Sequence, residues 1–374
     1  MTNSYLTSGV ATTAAQTVGV KVEMDEAIVI LPTWDVPLQT RLGSAPAHEV
    51  RVDWLEDILT PQSFYVSAVA SDEGNDEWEL TVDDSSALRV GDIVIADGVD
   101  DLSEAYEITE IVGATTIEVI TAWGGTTDED PDAVPTTYRI IGQNLSEGGD
   151  PAAMRATDRT NPYNYTQVGQ EGVQVSRTER KRQVYGVSDE YTYQVQKKFK
   201  ELAIRMEKAL TYGQRYQSGA KRAMGGLLYF ITTNSRSGVV ANTKSLINSL
   251  VRDCYTAGGT PRTLYVSPAV KAAISANVDP TLRRTTTDDT KVGFVVDQVL
   301  TDFGLIDIIT DRHLPTTKGL LLQEEFDKRR VFDGYFHETL AQTGDATKGE
   351  IVGEYSLEVK NQAAQGVLTL TDAS

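Results

Sequence analysis

The sequence predicts an α+β protein whose main body is interrupted by a small all-β domain. Two patterns carry this. Six short β-prone runs crowd into about eighty residues, and one long amphipathic helix follows them, itself followed by alternating helix and strand patterns. At 374 residues the chain exceeds the usual size of one hydrophobic core, and 40% apolar with 24% charged residues is a globular composition.

Residues 1–25 are rich in Thr, Ser, Ala and Gly, with little to bury, and predict an arm without a core of its own. The opening lacks the basic and apolar regions of a secretory signal, and no later run approaches a membrane span. The single cysteine, Cys254, excludes internal disulfides and points to a reducing compartment. In HEVRVDW (48–54), Val50, Val52 and Trp54 alternate with Glu49, Arg51 and Asp53, the pattern of a half-buried strand.

FYVSAVA, WELTV, DIVIA, AYEIT, TTIEVIT and TYRII then follow, separated by turn clusters, and predict a small antiparallel barrel or sandwich over 61–142. This segment also holds the charge. It carries 19 acidic residues against Arg89 and Arg139, giving −17 of the chain's −20. Past a Gly-rich return, 172–185 begins as an alternating strand at Val173 and Val175. It then turns polar on both faces at Arg177, Arg180, Lys181 and Arg182, which predicts an exposed hairpin.

Ser188 is the predicted N-cap of the long helix. Tyr191, Val195, Phe199, Leu202, Met206 and Leu210 recur at helical spacing along its packed face, and Gly213 ends it. Leu246, Ile247, Leu250, Val251 and Cys254 form a second stripe, closed by Gly258-Gly259. Strands are predicted at Thr263–Val266, 292–296, 305–310 and 319–322, with a helix from Pro268. In EIVGEYSLEVK, Ile351, Tyr355, Leu357 and Val359 face opposite to Glu350, Glu354, Glu358 and Lys360, and one more strand covers 367–370.

Catalytic constellations are missing. His48, His313 and His337 stand far apart, and no nucleophile-elbow, phosphate-loop or dinucleotide fingerprint occurs. Cys254 lies on an apolar stripe, where a small buried residue is expected rather than a nucleophile. Asp83-Asp84, Asp100-Asp101 and Asp128-Glu129-Asp130 lack the alternating pattern of a calcium loop and read as solvated acidic faces. The basic cluster has no interleaved aromatics and suits carboxylates on a protein neighbour better than nucleic acid. An enzyme is not expected, nor a cofactor or metal.

The order of elements, together with MDEAIVILPTWDVPLQTRLG, DWLEDIL, TNPYNYTQ, VQVSRT, RMEKALTYGQ, RAMGGL and GEYSLEVKN, resembles the Hong Kong 97 fold of tailed-bacteriophage major capsid proteins. It is similar to the branch with a β-domain inserted in the E-loop region, and departs from it at Asn361–Gly366, where a histidine would precede the glycine. The resemblance implies an N-arm (1–25), the start of the P-domain and E-loop (26–60) and the inserted domain (61–142). The E-loop return (143–185), the P-domain with its spine helix (186–235), the A-domain (236–330) and a return to P-domain strands (331–374) follow.

It further implies a virion protein, made in the host cytoplasm, that assembles with itself into hexamers and pentamers of an icosahedral shell. Double-stranded DNA would lie inside without sequence-specific contacts, decoration, scaffold or portal proteins are further partners, and no membrane is involved. Arg51, Trp54, Arg159, Arg177, Arg180, Lys181 and Arg182 are the expected inter-subunit contacts. The alternative is a virion receptor- or glycan-binding protein acting through the acidic β-domain.

Overall fold

Proline at the first helical position starts the first described element, α1 (Pro37–Arg41), and Val36 before it offers no side-chain cap. The structure, a computed structural model, describes residues 35–71, 77–97, 105–122, 136–148, 157–182, 189–277, 283–284, 298–342 and 344–372. The arm, Ser188 and the strand predicted at 292–296 lie outside these residues.

β1 (Gly43–Pro46) follows α1, and β2 (Arg51–Asp53) is the core of the predicted HEVRVDW strand. The inserted domain is a closed six-stranded barrel of β3 (Ser63–Ser71), β4 (Glu77–Val82), β5 (Asp92–Ala96), β6 (Tyr106–Gly113), β7 (Thr116–Thr121) and β8 (Thr136–Gln143), in the order β3-β4-β7-β6-β5-β8. Closure removes the exposed edges that an isolated small sheet would leave. Alternate residues, among them Phe64, Val66, Trp78, Leu80, Ile108, Ile117, Val119 and Tyr138, fill its interior. Gly91 stands at the predicted bend with φ +87°, and a Cβ there would press on the Asn144 carbonyl at 3.1 Å. The Asp83-Asp84 pair is used locally: Tyr65 N–H donates to Asp83 and Ser86 N–H to Asp84. The described residues fall into two compact units, one within 55–161 that contains the barrel and one, the body, made of 35–54 and those from 162 onward.

In the body, β9 (Tyr163–Tyr165) pairs with β2, and β10 (Gln167–Ser176) runs antiparallel to a much later strand. Here the structure corrects the predicted exposed hairpin. Val173 and Val175 are buried, and the polar residues beyond them form a short helix, α2 (Arg177–Lys181), instead of a strand. The Ser176 hydroxyl accepts the Glu179 N–H at 3.2 Å, so Ser176-x-x-Glu179 carries the start of a capping box that turns the chain helical.

The long helix, α3 (Glu190–Tyr212), is capped by Asp189, one residue after the predicted position, because the Asp189 carboxylate accepts the Tyr191 N–H. Gly213 ends it. Leu202, Met206 and Leu210 are buried with Glu207 and Thr211, whereas Tyr191, Val195 and Phe199 are only half-buried. The predicted stripe is therefore deeply packed only in its C-terminal half.

The rest of the body comprises β11 (Tyr216–Ser218), β12 (Lys221–Ala223), α4 (Leu227–Phe230), β13 (Ser235–Gly238), α5 (Thr243–Thr256), β14 (Thr263–Val266) and α6 (Pro268–Asn277). β15 (Arg283–Arg284), β16 (Gln298–Thr301), β17 (Gly304–Thr310), β18 (Lys318–Leu322), β19 (Asp327–Thr339), β20 (Ala346–Val359) and β21 (Gly366–Leu370) complete it. One four-stranded sheet, β1-β19-β20-β10, carries α3. A seven-stranded sheet, β13-β21-β18-β14-β17-β16-β15, packs α5 and α6 through Ile247, Leu250, Val251, Cys254, Val270 and Ile274. The last strand, expected with the P-domain strands of 331–374, sits instead in the seven-stranded sheet, antiparallel to β18 and parallel to β13. Non-local pairing decides that choice, not periodicity. A second core cluster, from Leu38 and Leu42 through Met206, Leu210, Leu227 and Tyr265 to Leu357 and Val367, draws residues from both sheets.

Two buried polar side chains organise that cluster. Asn164 uses every hydrogen-bonding site it has. Its amide donates to the Gly225 carbonyl at 3.0 Å and the Leu357 carbonyl at 2.7 Å, and its carbonyl accepts from Gly225 N–H and Tyr165 N–H at 2.8 and 2.9 Å. Beside it, Gly226 N–H donates to the Gly213 carbonyl, and a Cβ on either glycine would collide with backbone. RAMGGL thus closes directly on the end of the long helix.

The second is Glu207 of α3. Its carboxylate accepts the Leu38 and Gln39 N–H groups at 2.7 and 3.1 Å, supplying from far along the chain the cap that Val36 cannot give α1. Burial pushes this carboxyl up to about 7, against the hydrogen bonds from α1 that pull it down. Between the ordinary glutamate range and about 7 the folded chain keeps a proton that the unfolded chain has released. The stabilising contribution of that proton therefore declines as pH rises through this window and is lost above it. A loss on the order of 3 kcal/mol is expected across the window, and Glu207→Gln should remove this part of the pH dependence in denaturant titrations. Identical pH slopes for the two proteins would contradict the assignment.

Candidate assembly surfaces

Catalytic geometry is not found among the described residues. They hold no group of His, Cys, Asp and Glu placed to bind a metal ion. His337 Nε2 meets the Tyr191 hydroxyl at 2.9 Å, and His313 lies near the Asp35 carbonyl, so these two histidines serve separate local contacts. Cys254 is fully buried and burial pushes its thiol up to about 12, far from a reactive thiolate. No described helix is long and apolar enough to cross a membrane.

The surface carries more information. Arg177, Arg180, Lys181 and Arg182 gather at the end of β10, on α2 and its C-cap. Arg177 pairs with Asp345 at 2.8 Å, Arg180 donates to the Thr347 hydroxyl at 3.0 Å, and Arg182 reaches Glu179 at 3.4 Å. All four side chains are exposed, and such pairs are worth little within one subunit. Arg51 pairs with Asp53 and lies 4.0 Å from the centre of the Tyr163 ring, which Arg215 approaches at the same distance. Arg159 is exposed near Asp57.

Trp54 is a correction. It is buried in its own subunit, edge-on to Phe230 at 5.7 Å, so it is a core residue and not a surface offered to a neighbour. Alternation in HEVRVDW pointed to that burial.

Two exposed apolar groups were not among the expected contacts. Leu55, Ile58 and Leu59 follow Trp54 within DWLEDIL, and Leu59 is 93% exposed. Phe332, Phe336 and Leu340 are exposed along β19, whose outer edge pairs with β1 only from Lys328 to Val331. Single exposed apolar residues are ordinary, but groups of them close in sequence are candidates for contact surfaces. Leu55, Ile58 and Leu59 have the spacing of a single helical turn that Pro61 cuts short and no helix forms there, and that short apolar turn was the available signal.

A model of the family described as SU10 major capsid protein matches residues 7–372. The chain belongs to this major capsid protein family. Its fold agrees with solved structures. The chain of Mycobacterium phage Cain matches with a TM-score of 0.53 at 10% identity, covering 98% of this chain and 100% of that one. The capsid of a native GTA particle gives 0.55 at 10% identity, covering 96% and 98%. Microbacterium phage Oxtober96 gives 0.53 at 9% identity, covering 96% and 98%. At such identities the likeness is one of fold, the Hong Kong 97 type, which this chain combines with its inserted barrel. No curated protein matches the sequence.

As a tailed-phage major capsid protein, the chain is a structural component of the virion capsid. Nothing in these comparisons supports the receptor- or glycan-binding alternative. The exposed apolar residues of this capsid protein are candidates for contacts between subunits. Replacing Leu55, Ile58 and Leu59 together by Ser should leave subunit stability within about 0.5 kcal/mol, as for surface sites, while sharply reducing particle yield. Equal particle yield by sedimentation would remove these residues from the assembly surface.

Proposed function

We propose that the chain builds hexameric and pentameric capsomers of an icosahedral shell around double-stranded DNA, in the host cytoplasm. The match to a major capsid protein family over residues 7–372 carries this reading. Exposed arginines and apolar residues at separate places on the subunit support it, since a closed shell requires repeated heterologous contacts between unlike surfaces of one chain. On this reading α3 is the spine helix, the body around it is the P-domain, and the seven-stranded sheet with α5 and α6 belongs to the A-domain. β2 and β9 form the base of the E-loop, and 61–142 is its insert. Scaffold, portal and decoration proteins are further partners to be sought.

The basic cluster at the end of β10 meets carboxylates of a neighbouring copy. The barrel faces outward, because a segment of charge −17 beside packaged DNA would repel a dense polyanion on every subunit. Facing solvent, the same charge is screened within about 8 Å at physiological salt and keeps particles apart.

Electron microscopy of the expressed full chain tests the reading. Closed particles with capsomers and external lobes of barrel size are expected, and assembly should weaken as salt is raised. Deleting residues 1–20 should leave a folded subunit that does not complete shells. A soluble monomer under all assembly conditions would overturn the proposal, and lobes on the inner face would overturn the outward placement.

A further inference from the structure

Asp327 opens β19, and Gln365 immediately precedes β21. Both side chains are fully buried where the four-stranded and seven-stranded sheets of the body are joined. The Gln365 amide donates to Asp327 Oδ1 at 2.8 Å. Each partner has one more oxygen, Asp327 Oδ2 and Gln365 Oε1, and neither has a hydrogen-bond donor. Two buried acceptors in one bonded pair are thus left without a donor, and leaving both unsatisfied is costly.

We propose that Asp327 is a proton-binding site, holding a proton on Oδ2 and donating it to Gln365 Oε1 in a two-bond acid–amide pair. A carboxylic acid and a primary amide each present one donor beside one acceptor, so the pair is complementary only in its neutral form. The surroundings favour that form. No cation lies within ion-pair distance of Asp327 among the described residues, and the charged group that acts on it, Glu324 in the preceding turn, repels an ionised carboxylate. Arg330 on the same strand and Lys360, just past β20, are engaged with Glu358. Arg329 lies further along β19, and Cys254 on α5 is neutral. Burial pushes the Asp327 carboxyl up to about 8, although donation from Gln365 pulls the other way. The pair is therefore closed at neutral pH and opens as the solution becomes alkaline. Proton loss leaves an uncompensated charge at the joint between the sheets, which makes subunit rigidity responsive to pH.

Infrared spectra of the full chain carrying labelled aspartate test this directly. At neutral pH a protonated carboxyl band is expected that vanishes in Asp327→Asn and moves to higher frequency in Gln365→Leu, where the amide partner is gone. Asp327→Asn places an N–H where the acid has its O–H, so it should stay folded. Its unfolding midpoint should lack the Asp327 share of the decline that the unaltered chain shows as pH rises from the ordinary aspartate range to about 8, leaving the parts due to Glu207 and to Asp311, which burial also raises. A spectrum unchanged by Asp327→Asn, or equal pH slopes for the two proteins, would overturn the proposal.

Discussion

Four hydrogen bonds on the buried amide of Asn164 fix the geometry on which the body of this capsid subunit depends. They tie the segment returning from the inserted domain to RAMGGL and to the long strand of GEYSLEVKN. These stretches are remote in sequence. Around the same point Arg222 pairs with Glu354 at 2.7 Å, Thr166 donates to Glu354, and the Ser356 hydroxyl donates to the Tyr165 carbonyl at 2.9 Å. The fully satisfied Asn164 amide specifies one arrangement, because any other leaves its buried partners without hydrogen bonds.

The long helix takes its position from that junction. Its C-terminal end abuts Gly226, and its length lies along β10 and β20, where Gly169, Gly349 and Gly353 leave room for Leu202, Tyr191 and the Tyr335 ring. Added Cβ atoms at Gly349 or Gly353 would overlap those aromatic side chains. Glu171 of β10 pairs with Lys198 at 3.5 Å and with Arg205, so the helix is held by ion pairs on one side and apolar packing on the other. Glu207 then extends the same helix's reach to α1. One helix thereby orients the sheet, α1 and the core shared with the seven-stranded sheet, while its N-terminal half remains only partly covered.

Periodicity made much of this legible. The six barrel strands announce themselves by alternation between turn clusters, and α3 and α5 by their apolar stripes, because each buries one face against a single neighbour. Elements whose position depends on distant partners were harder to read. Val173 and Val175 gave two buried positions, too few to show that β10 continues along β20, and the charge of Arg177–Arg182 obscured the Ser176–Glu179 helix start. β21 reads as a strand, but its sheet is chosen by pairing with β18 and β13. Asn164 and Glu207 are polar residues among polar neighbours, and only the fold reveals that they are buried. Of the expected contacts, the arginines are exposed and Trp54 is not. Leu55, Ile58 and Leu59 were readable only as a single apolar turn at helical spacing, cut short at Pro61.

Unfolding of Asn164→Ala, followed by denaturant titration with separate probes for the body and the barrel, tests the central role of the junction. Removing this amide strands the Gly225 and Leu357 carbonyls and two backbone N–H groups, so a loss of about 3–5 kcal/mol is expected in the body transition. The barrel has its own closed sheet and core, and its transition should be unchanged. A body as stable as that of the unaltered chain would contradict the account.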